Sequence, residues 1–393
     1  MTSTAAVAGP LDGVRVIALE QAVAGPLCTR HLGDLGAEVI KVERPAGGDL
    51  ARGYDSVVHG ESAYFVWLNR GKRSVVLDLS PGGPGVASLE ALLDSADVFV
   101  HNLGPGAVDR MGLNWDTLHR RWPRLISCGI SGYGTEGPGA HRKGFDLLLQ
   151  GESGLVSVTG NPDAPAKVGI SIADISSGMY ALSSVLAALL LRSRTGEGVR
   201  VDIAMLDCLA EWMMHPLYHR IYGGAEPPRT GLFHNAICPY GPYPVAHGKA
   251  VNIGVHSDAQ WRAFCTTVLE RPELIEDPHY RSNELRVINR GTLEPMIIER
   301  LRTIDATTLT AILEAADIPC GVVNDVAGLA DHVQLAERGR WFEVGSPSGP
   351  IKALVPPFNL SGVARPSGPV PALGQHTLEV LTELAARPDG SSA

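Results

Sequence analysis

The stretch VRVIALEQAVAGPLCTRHLGDLGAEVIKVE, residues 14–43, decides the fold. VRVIAL (14–19) is a short apolar run, as a strand buried on both faces requires. EQAVAG (20–25) is a turn of small residues. Pro26 opens a helix, where its missing N–H goes unneeded. That helix ends near Gly33–Gly36, and AEVIKVE (37–43) follows as a second strand. Strand, helix and strand in so short a span predict a β–α–β unit.

The alternation continues outward. SVVLDL (74–79) reads as a strand, ASLEALLDSA (87–96) as a helix, and DVFVHN (97–102) as a strand. LISCGISGY (125–133) is a strand running into a glycine-rich turn. After RSRTGEG, VRVDIAML leads from strand to helix. The fold class is therefore α/β, with a doubly wound parallel sheet covered by helices on both faces. Ligands of such sheets bind beyond the carboxyl ends of the strands. YGGAEPPRT (222–230) reads as a linker, and 231–325 as a smaller α+β unit. Within that unit CPYGPYPVAHGKAVNIGV predicts a hairpin turning at His247–Gly248, and DAQWRAFCTTVLE, RGTLEPMIIERLRTI and TTLTAILEAADI predict amphipathic helices. A last helix is expected near 375–386, before a frayed tail, RPDGSSA.

The chain has 393 residues, 45% hydrophobic and 19% charged, enough for one large domain or two smaller ones. A net charge of -9 argues against a general nucleic-acid binder, though a local basic patch could still hold a small anion. Cys28, Cys128, Cys208, Cys238, Cys265 and Cys320 are scattered, with no zinc spacing, as suits a reducing compartment. MTSTAAVAGPLDG (1–13) has neither a basic nor a long apolar segment, so no signal peptide is expected. Met179–Leu191 is apolar apart from Ser183 and Ser184, but shorter than the roughly 20 residues of a membrane span. It is expected to be a buried core helix. The chain is thus expected to be cytoplasmic, with no membrane partner.

Several residues could carry chemistry. The turn after the first strand lacks GxGxxG, which removes the main support for a dinucleotide site, although Glu43 ends the second strand at the acidic position such a fold uses. Lys41, Arg44, Arg52, Lys72, Arg73, Arg110, Arg142 and Lys143 recur at strand ends and in turns, where they could gather around phosphates or remain solvated surface charges. GISIADISSGMYALSSVLAALLL (169–191) carries Asp174 at the mouth of its apolar run. An aspartate there is a favoured N-cap. The helix N-terminus would also keep it ionised, and an ionised carboxylate can attack a thioester. Gly178, one turn later, would leave room for a ligand. No Ser/His/Asp arrangement or Gly-x-Ser-x-Gly is present.

Taken together, residues 14–49, LNRGKRSVVLDL (68–79), HNLGPGAVDRMGL (101–113), GYGTEGPGAHRKGFDLLLQGESG (132–154), VGISIADISSGMYA (168–181) and CPYGPYPVAHG (238–248) resemble the class III coenzyme A transferases, the family of formyl-CoA transferase and the carnitine CoA-transferase. The resemblance runs from about residue 10 to about residue 380. It implies that Asp174 attacks an acyl-CoA carbonyl and passes through a mixed anhydride and an aspartyl-CoA thioester. It implies CoA contacts at Val23, Ala24, Arg44, Lys72, Arg73, Asn102, Leu103, Arg110, Met111 and Lys143. CoA and acyl-CoA enter as substrates, beside a small carboxylic acid, with no tightly bound cofactor and no metal.

The implied architecture is a Rossmann-like large domain made from residues 1–225 and a return segment, 326–393, with a small domain at 226–325. Two chains would interlock as a homodimer. This sequence departs from the formyl-CoA transferase pattern in two places. The family's first-turn glutamine is Val23, and the glycine-run loop is replaced by NIGVHSDAQW (252–261), which argues against formyl or oxalyl specificity. Short dicarboxylates such as succinate are the family's habitual acids, and His234, Tyr240, Tyr133 and Tyr54 are candidates for an acyl pocket. The α-methylacyl-CoA racemases on the same fold carry a Gly-His-Asp string. Here it is Gly144-Phe145-Asp146, so two-base proton exchange lacks its imidazole. A non-catalytic CoA-binding protein and a nicotinamide oxidoreductase are the remaining alternatives.

Overall fold

β1 (Arg15–Leu19) and β2 (Glu38–Glu43) pair in parallel, with Ile17 opposite Ile40. Val16, Ile17 and Ala18 are fully buried because helices cover both faces, so the strand reads as an apolar run rather than an alternation. β3 (Arg73–Val76), β4 (Val98–His101), β5 (Ile126–Ser131) and β6 (Arg200–Ala204) complete a six-stranded sheet in the order β3-β2-β1-β4-β5-β6. Every neighbouring pair is parallel. The strand order reverses between β1 and β4, which opens a crevice above their carboxyl ends. The Rossmann-like doubly wound sheet is therefore present. In this computed structural model the described residues are 9–80, 83–364 and 368–386, and the RPDGSSA tail lies outside them, as do residues 1–8.

The chain forms two compact units. The first runs to Ser153, resumes at Val168–Met214 and returns from Leu335; the second is Gly154–Lys167 with His215–Gln334. These divisions differ from the expected 225 and 326, and the detour at Gly154–Lys167 was not anticipated. Its cause is a long-range tie. The Arg229 guanidinium donates to the carbonyls of Ser157, Asn161 and Pro162, which draws that hairpin into the second unit.

In the first unit, α1 (Ala24–Asp34), α2 (Ala63–Asn69) and α3 (Gly85–Leu93) connect the early strands. Ile17, Ile40, Val75, Leu89, Leu92 and Phe99 make one core, joined by Val380 from the last helix, Thr377–Ala385. That return segment closes the sheet edge. The N–H groups of Ser74 and Val76 donate to His376 Nδ1 at 3.1 Å and Thr377 Oγ1 at 3.0 Å. An edge left open would be a template for unwanted pairing. α4 (Asp146–Glu152), α5 (Ile172–Thr195) and α6 (Met205–Trp212) follow β5 and β6. By length and apolar composition alone, α5 could cross a membrane. Its small-residue face, including Ser177, Gly178, Ala181 and Ala188, is buried in protein, whereas Leu190 is 63% exposed. The expected buried helix is thus buried on one face only.

The second unit holds the expected hairpin. β7 (Tyr240–Pro244) pairs antiparallel with β8 (Ala250–Gly254), and His247 and Gly248 turn it at φ of 62° and 72°. β9 (Cys320–Val322) adds to the other edge of β8. Trp261, Phe264, Leu293, Ile297, Leu309 and Leu313 from the amphipathic helices form the core beneath.

Candidate active site

The turn from β1 to α1 is held open at the crevice by two side chains. Asn102, just past β4, accepts from the Gln21 N–H and donates back to the Gln21 carbonyl, both at 2.8 Å. Asp49 accepts from the Ala22 N–H at 2.9 Å. Ala22 sits at φ 61°, a left-handed conformation that costs an alanine about 1 kcal/mol or more, so these bonds keep a strained turn in place. Gly25 leaves no room for a side chain: a Cβ there would lie 2.9 Å from Glu20 Cβ and 3.2 Å from Asn102 Cγ.

Beneath the turn lies a balanced buried charge network. Lys41 donates to Asp49 at 2.7 Å and lies 3.3 Å from Glu20; Lys72 donates to Glu20 at 2.7 Å, Asn69 at 3.0 Å and the Pro26 carbonyl at 3.0 Å. Burial works against the Glu20 carboxylate, but Lys41 and Lys72 outweigh it and hold its pKa below the usual value. Burial brings Lys72 down to about 8, against the pull of Glu20. Such a network stabilises only when every member is satisfied. Here it fixes the floor of the crevice.

Asp174 lies over this turn, in the first turn of α5. It is not the cap of its own helix. The N-cap position is Ser171, and the Ala173 N–H instead donates to Asp146 of α4 at 2.8 Å. The Asp174 carboxylate faces the Ala24 N–H at the start of α1. The helix terminus does not win: burial, reinforced by the charge of Asp146, pushes the Asp174 pKa up to about 7, with the Ala24 N–H pulling the other way. Asp146 is held by Gln150, which donates to it at 2.8 Å and accepts from the Val168 N–H at 2.9 Å. If ionised Asp174 is the attacking group, kcat should rise about tenfold per pH unit below 7 and level off above it. Asp146→Asn keeps an acceptor for Ala173 but removes the like charge, so the midpoint of the rate–pH profile should move to lower pH. An unmoved midpoint would refute this account of the shift.

The other expected site residues fall into three groups. Val23, Ala24 and Asn102 line the turn opposite Asp174. Arg44 and Lys143 are exposed in loops after β2 and β5, Arg110 is exposed at the end of a short helix, Ala107–Arg110, after β4, and Leu103 and Met111 are partly buried beside it. Lys72 and Arg73 are engaged elsewhere. The donors of Lys72 meet three protein acceptors, and Arg73 is paired with Glu38, Glu379 and Glu383 on the sheet edge. Glu43 is likewise consumed by Arg52, Ser74 and the Asp49 N–H. Gly178 leaves no ligand room; a Cβ there would lie 2.7 Å from the Ala24 carbonyl oxygen, so the glycine lets α5 touch α1.

A cavity of about 770 Å³ opens between the loops after β4 and β5, lined by Leu103, Asp109, Thr135 and Arg200 among others. His101 faces it too, and burial lowers its pKa to about 4, so the ring is neutral. Of the proposed acyl-pocket residues, Tyr54 is close enough to Asp174 for that charge, after burial and Asp49, to raise its pKa. Tyr133 donates to Glu152 at 3.0 Å. His234 and Tyr240 belong to the second unit, stacked with ring centroids 5.1 Å apart. Asp49 escaped the sequence reading, and Asp146 entered it only through the Gly144-Phe145-Asp146 string, not as a neighbour of Asp174. The signal for Asp146 was its spacing of four from Gln150, a helical pair.

A model of CoA-transferase family III matches residues 11–377. The succinyl-CoA:glutarate CoA-transferase of Mus musculus is 35% identical over 386 residues, spanning 97% of this chain and 88% of that one. The acetyl-CoA:oxalate CoA-transferase of Acetobacter aceti is 35% identical over 356 residues, with 89% and 91% covered. Among solved structures, a CAIB/BAIF family protein from Brucella suis superposes with a TM-score of 0.84 at 34% identity, covering 96% of this chain and all of that one.

Proposed function

The chain belongs to CoA-transferase family III, and from that premise we propose that it moves CoA from an acyl-CoA to a free carboxylic acid through covalent intermediates on Asp174. The observation that carries this reading is the position of Asp174. It is a half-buried carboxylate above the strand-order reversal, facing the Ala24 N–H. A carboxylate oxygen attacks the thioester carbonyl, the C–S bond breaks, and CoA leaves as thiolate, giving a mixed anhydride. The thiolate then attacks the Asp174 carbonyl, releasing the first acid and forming an aspartyl-CoA thioester. The second acid attacks that thioester, and the expelled thiolate takes its acyl group, restoring the Asp174 carboxylate. In the first turn of α1 the Gly25 N–H, beside the Ala24 N–H that faces Asp174, has no partner within its own helix and suits a developing oxyanion. Arg44, Arg110 and Lys143, all exposed, are the cations this reading assigns to the CoA phosphates. Relatives named for succinyl-CoA with glutarate or mesaconate put short dicarboxylic acids longer than oxalate first among the substrates.

The test is intact-protein mass spectrometry after mixing with succinyl-CoA, acetyl-CoA and related donors. A CoA or acyl adduct on the native enzyme, absent from Asp174→Ala, is expected. Donors that bind without leaving any adduct would overturn the covalent route.

A homodimer belongs to the same reading. In the first unit Phe145, Leu147, Leu148, Ile170, Leu190 and Trp212 are each about half exposed or more. A partner chain would bury this apolar surface. Light scattering should give about twice the chain mass of 41.6 kDa. A monomer mass at micromolar concentration would exclude it.

A further inference from the structure

Two segments that bear on Asp174 meet at one buried carboxylate, Asp49. It follows a pair of left-handed glycines, Gly47 and Gly48, at φ of 78° and 64°. A Cβ on Gly48 would lie 2.5 Å from Glu43 Oε2, so the chain folds back tightly onto the end of β2. There the Asp49 N–H donates to that same Glu43 oxygen at 3.0 Å, and the residue is 2% exposed. Both side-chain oxygens are taken. Oδ1 accepts from the Ala22 N–H and the Ala51 N–H, each at 2.9 Å, and Oδ2 accepts from Lys41 at 2.7 Å. So buried and so engaged, Asp49 acts only through what it holds.

One bond holds the β1–α1 turn at its strained residue, Ala22, two positions before the Ala24 N–H that faces Asp174. The other caps a short 3₁₀ turn, Leu50–Gly53, which runs directly into Tyr54. Tyr54 packs edge-on against Tyr64, with ring centroids 5.7 Å apart, and feels the charge of Asp174. The remaining charged group that bears on Asp174 is Asp146 of α4, which Asp49 does not touch. A carboxylate suits this position because three donors converge on it. An asparagine has one oxygen, and its NH2 would have to face either Lys41 or the two backbone N–H groups.

We propose that Asp49 is a positioning residue for CoA transfer: by clamping Ala22 to Ala51 it holds the Ala24 N–H against the Asp174 carboxylate. Its effect on rate rests on the reading of Asp174 as the attacking group. Its effect on where Asp174 ionises rests on the geometry of the turn alone.

Removing one member of a buried ion pair strands the other charge, so Asp49 and Lys41 are changed together. Asp49→Ala with Lys41→Met removes the clamp. It should lower kcat about 10²-fold while KM for succinyl-CoA changes by less than about threefold. Asp49→Asn with Lys41→Gln lets the asparagine oxygen accept from both N–H groups and its NH2 donate to the glutamine. That conservative pair should recover most of the lost rate. A second readout needs no turnover. Carbodiimide couples to protonated carboxyl groups, so labelling of Asp174 against pH, followed by peptide mass spectrometry, shows where it ionises. The Ala24 N–H favours the charged form, and its loss in Asp49→Ala/Lys41→Met should move the midpoint up by about one pH unit. Loss of the ion pair is neutral in charge and by itself leaves the midpoint in place, since Glu20, Lys72 and Asp146 keep their charges. Ala22→Val strains the same turn without touching the buried pair, because a β-branched residue rarely holds a positive φ. It should lower kcat and raise the midpoint too, and it tests the clamp even if the double variant does not fold. An unmoved midpoint, equal rate losses in the two double variants, a loss confined to KM, or native behaviour of Ala22→Val would overturn the proposal. Failure of the covalent route would instead show as missing adducts on the native enzyme, with the labelling midpoints still shifted as expected.

Discussion

Asp174→Ala should lower kcat by about 10³-fold or more while the protein stays folded. The fold survives because the Asp174 side chain does not cap its helix; Asp146 receives the Ala173 N–H and Gln150 braces Asp146. Asp174→Asn makes the sharper comparison, since it preserves shape and removes only the charge. In the native enzyme burial and Asp146 raise the Asp174 pKa to about 7, above its ordinary value in an unfolded chain. Between those two values the folded state holds a proton that the unfolded state has released. Stability therefore falls as pH rises through that window and levels off above 7. Asp174→Asn escapes this loss. It should be inactive yet melt higher than the native enzyme at pH 8, and the gap should close by about pH 4. Melting temperatures at the two pH values, set beside steady-state rates, decide the matter. An active Asp174→Asn would sink the nucleophile assignment, and an identical melt at both pH values would sink the electrostatic account.

That tension between stability and function could not be read from GISIADISSG. The sequence shows an aspartate at the start of a helix, and local chemistry says cap and ionised. What reverses both expectations comes from elsewhere in the chain. Asp146 arrives with α4, takes the Ala173 N–H and adds its charge to the burial that raises the Asp174 pKa, against the pull of the Ala24 N–H from α1. The β1–α1–β2 unit, by contrast, was legible because its pattern is local: an apolar run, a proline-led helix and a second strand. The family motifs extended this to the whole sheet and to the crevice. Lys72 shows where such reading stops. In NRGKRS it looks like any exposed base, and only the arrival of Glu20, Asn69 and the Pro26 carbonyl reveals a structural cation. Arg73, its neighbour, points the other way and ties the returning C-terminal helix to the sheet edge through Glu379 and Glu383. The detour at Gly154–Lys167 was hidden for the same reason, since the Arg229 contacts that hold it span 67 to 72 residues.

Gly178→Val should damage both stability and catalysis, and the catalytic loss should exceed what unfolding explains. The added Cβ would stand 2.7 Å from the Ala24 carbonyl oxygen and 3.1 Å from Leu27 Cβ. Neither can swing aside, because the first is backbone and the second is attached directly to it. α5 must therefore lift away from α1, at about 1–3 kcal/mol for such overpacking. The place where it lifts matters more than the energy. Asp174 lies one helical turn before Gly178, and Ala24, whose carbonyl would be struck, also supplies the N–H that the Asp174 carboxylate faces. One displacement strains the fold and pulls Asp174, the proposed nucleophile, from its partner. A shift of about 1 Å at a reacting group can cost about 10²-fold in rate. Gly151, inside α4 with nothing within 4 Å of its Cβ position, is the matched control. Gly151→Ala should be tolerated and keep native turnover. Rates measured well below the melting point of each variant separate the two effects. If Gly178→Val turns over normally when folded, close contact between α1 and α5 serves packing alone, and the alignment of Asp174 with α1 is not what sets the rate.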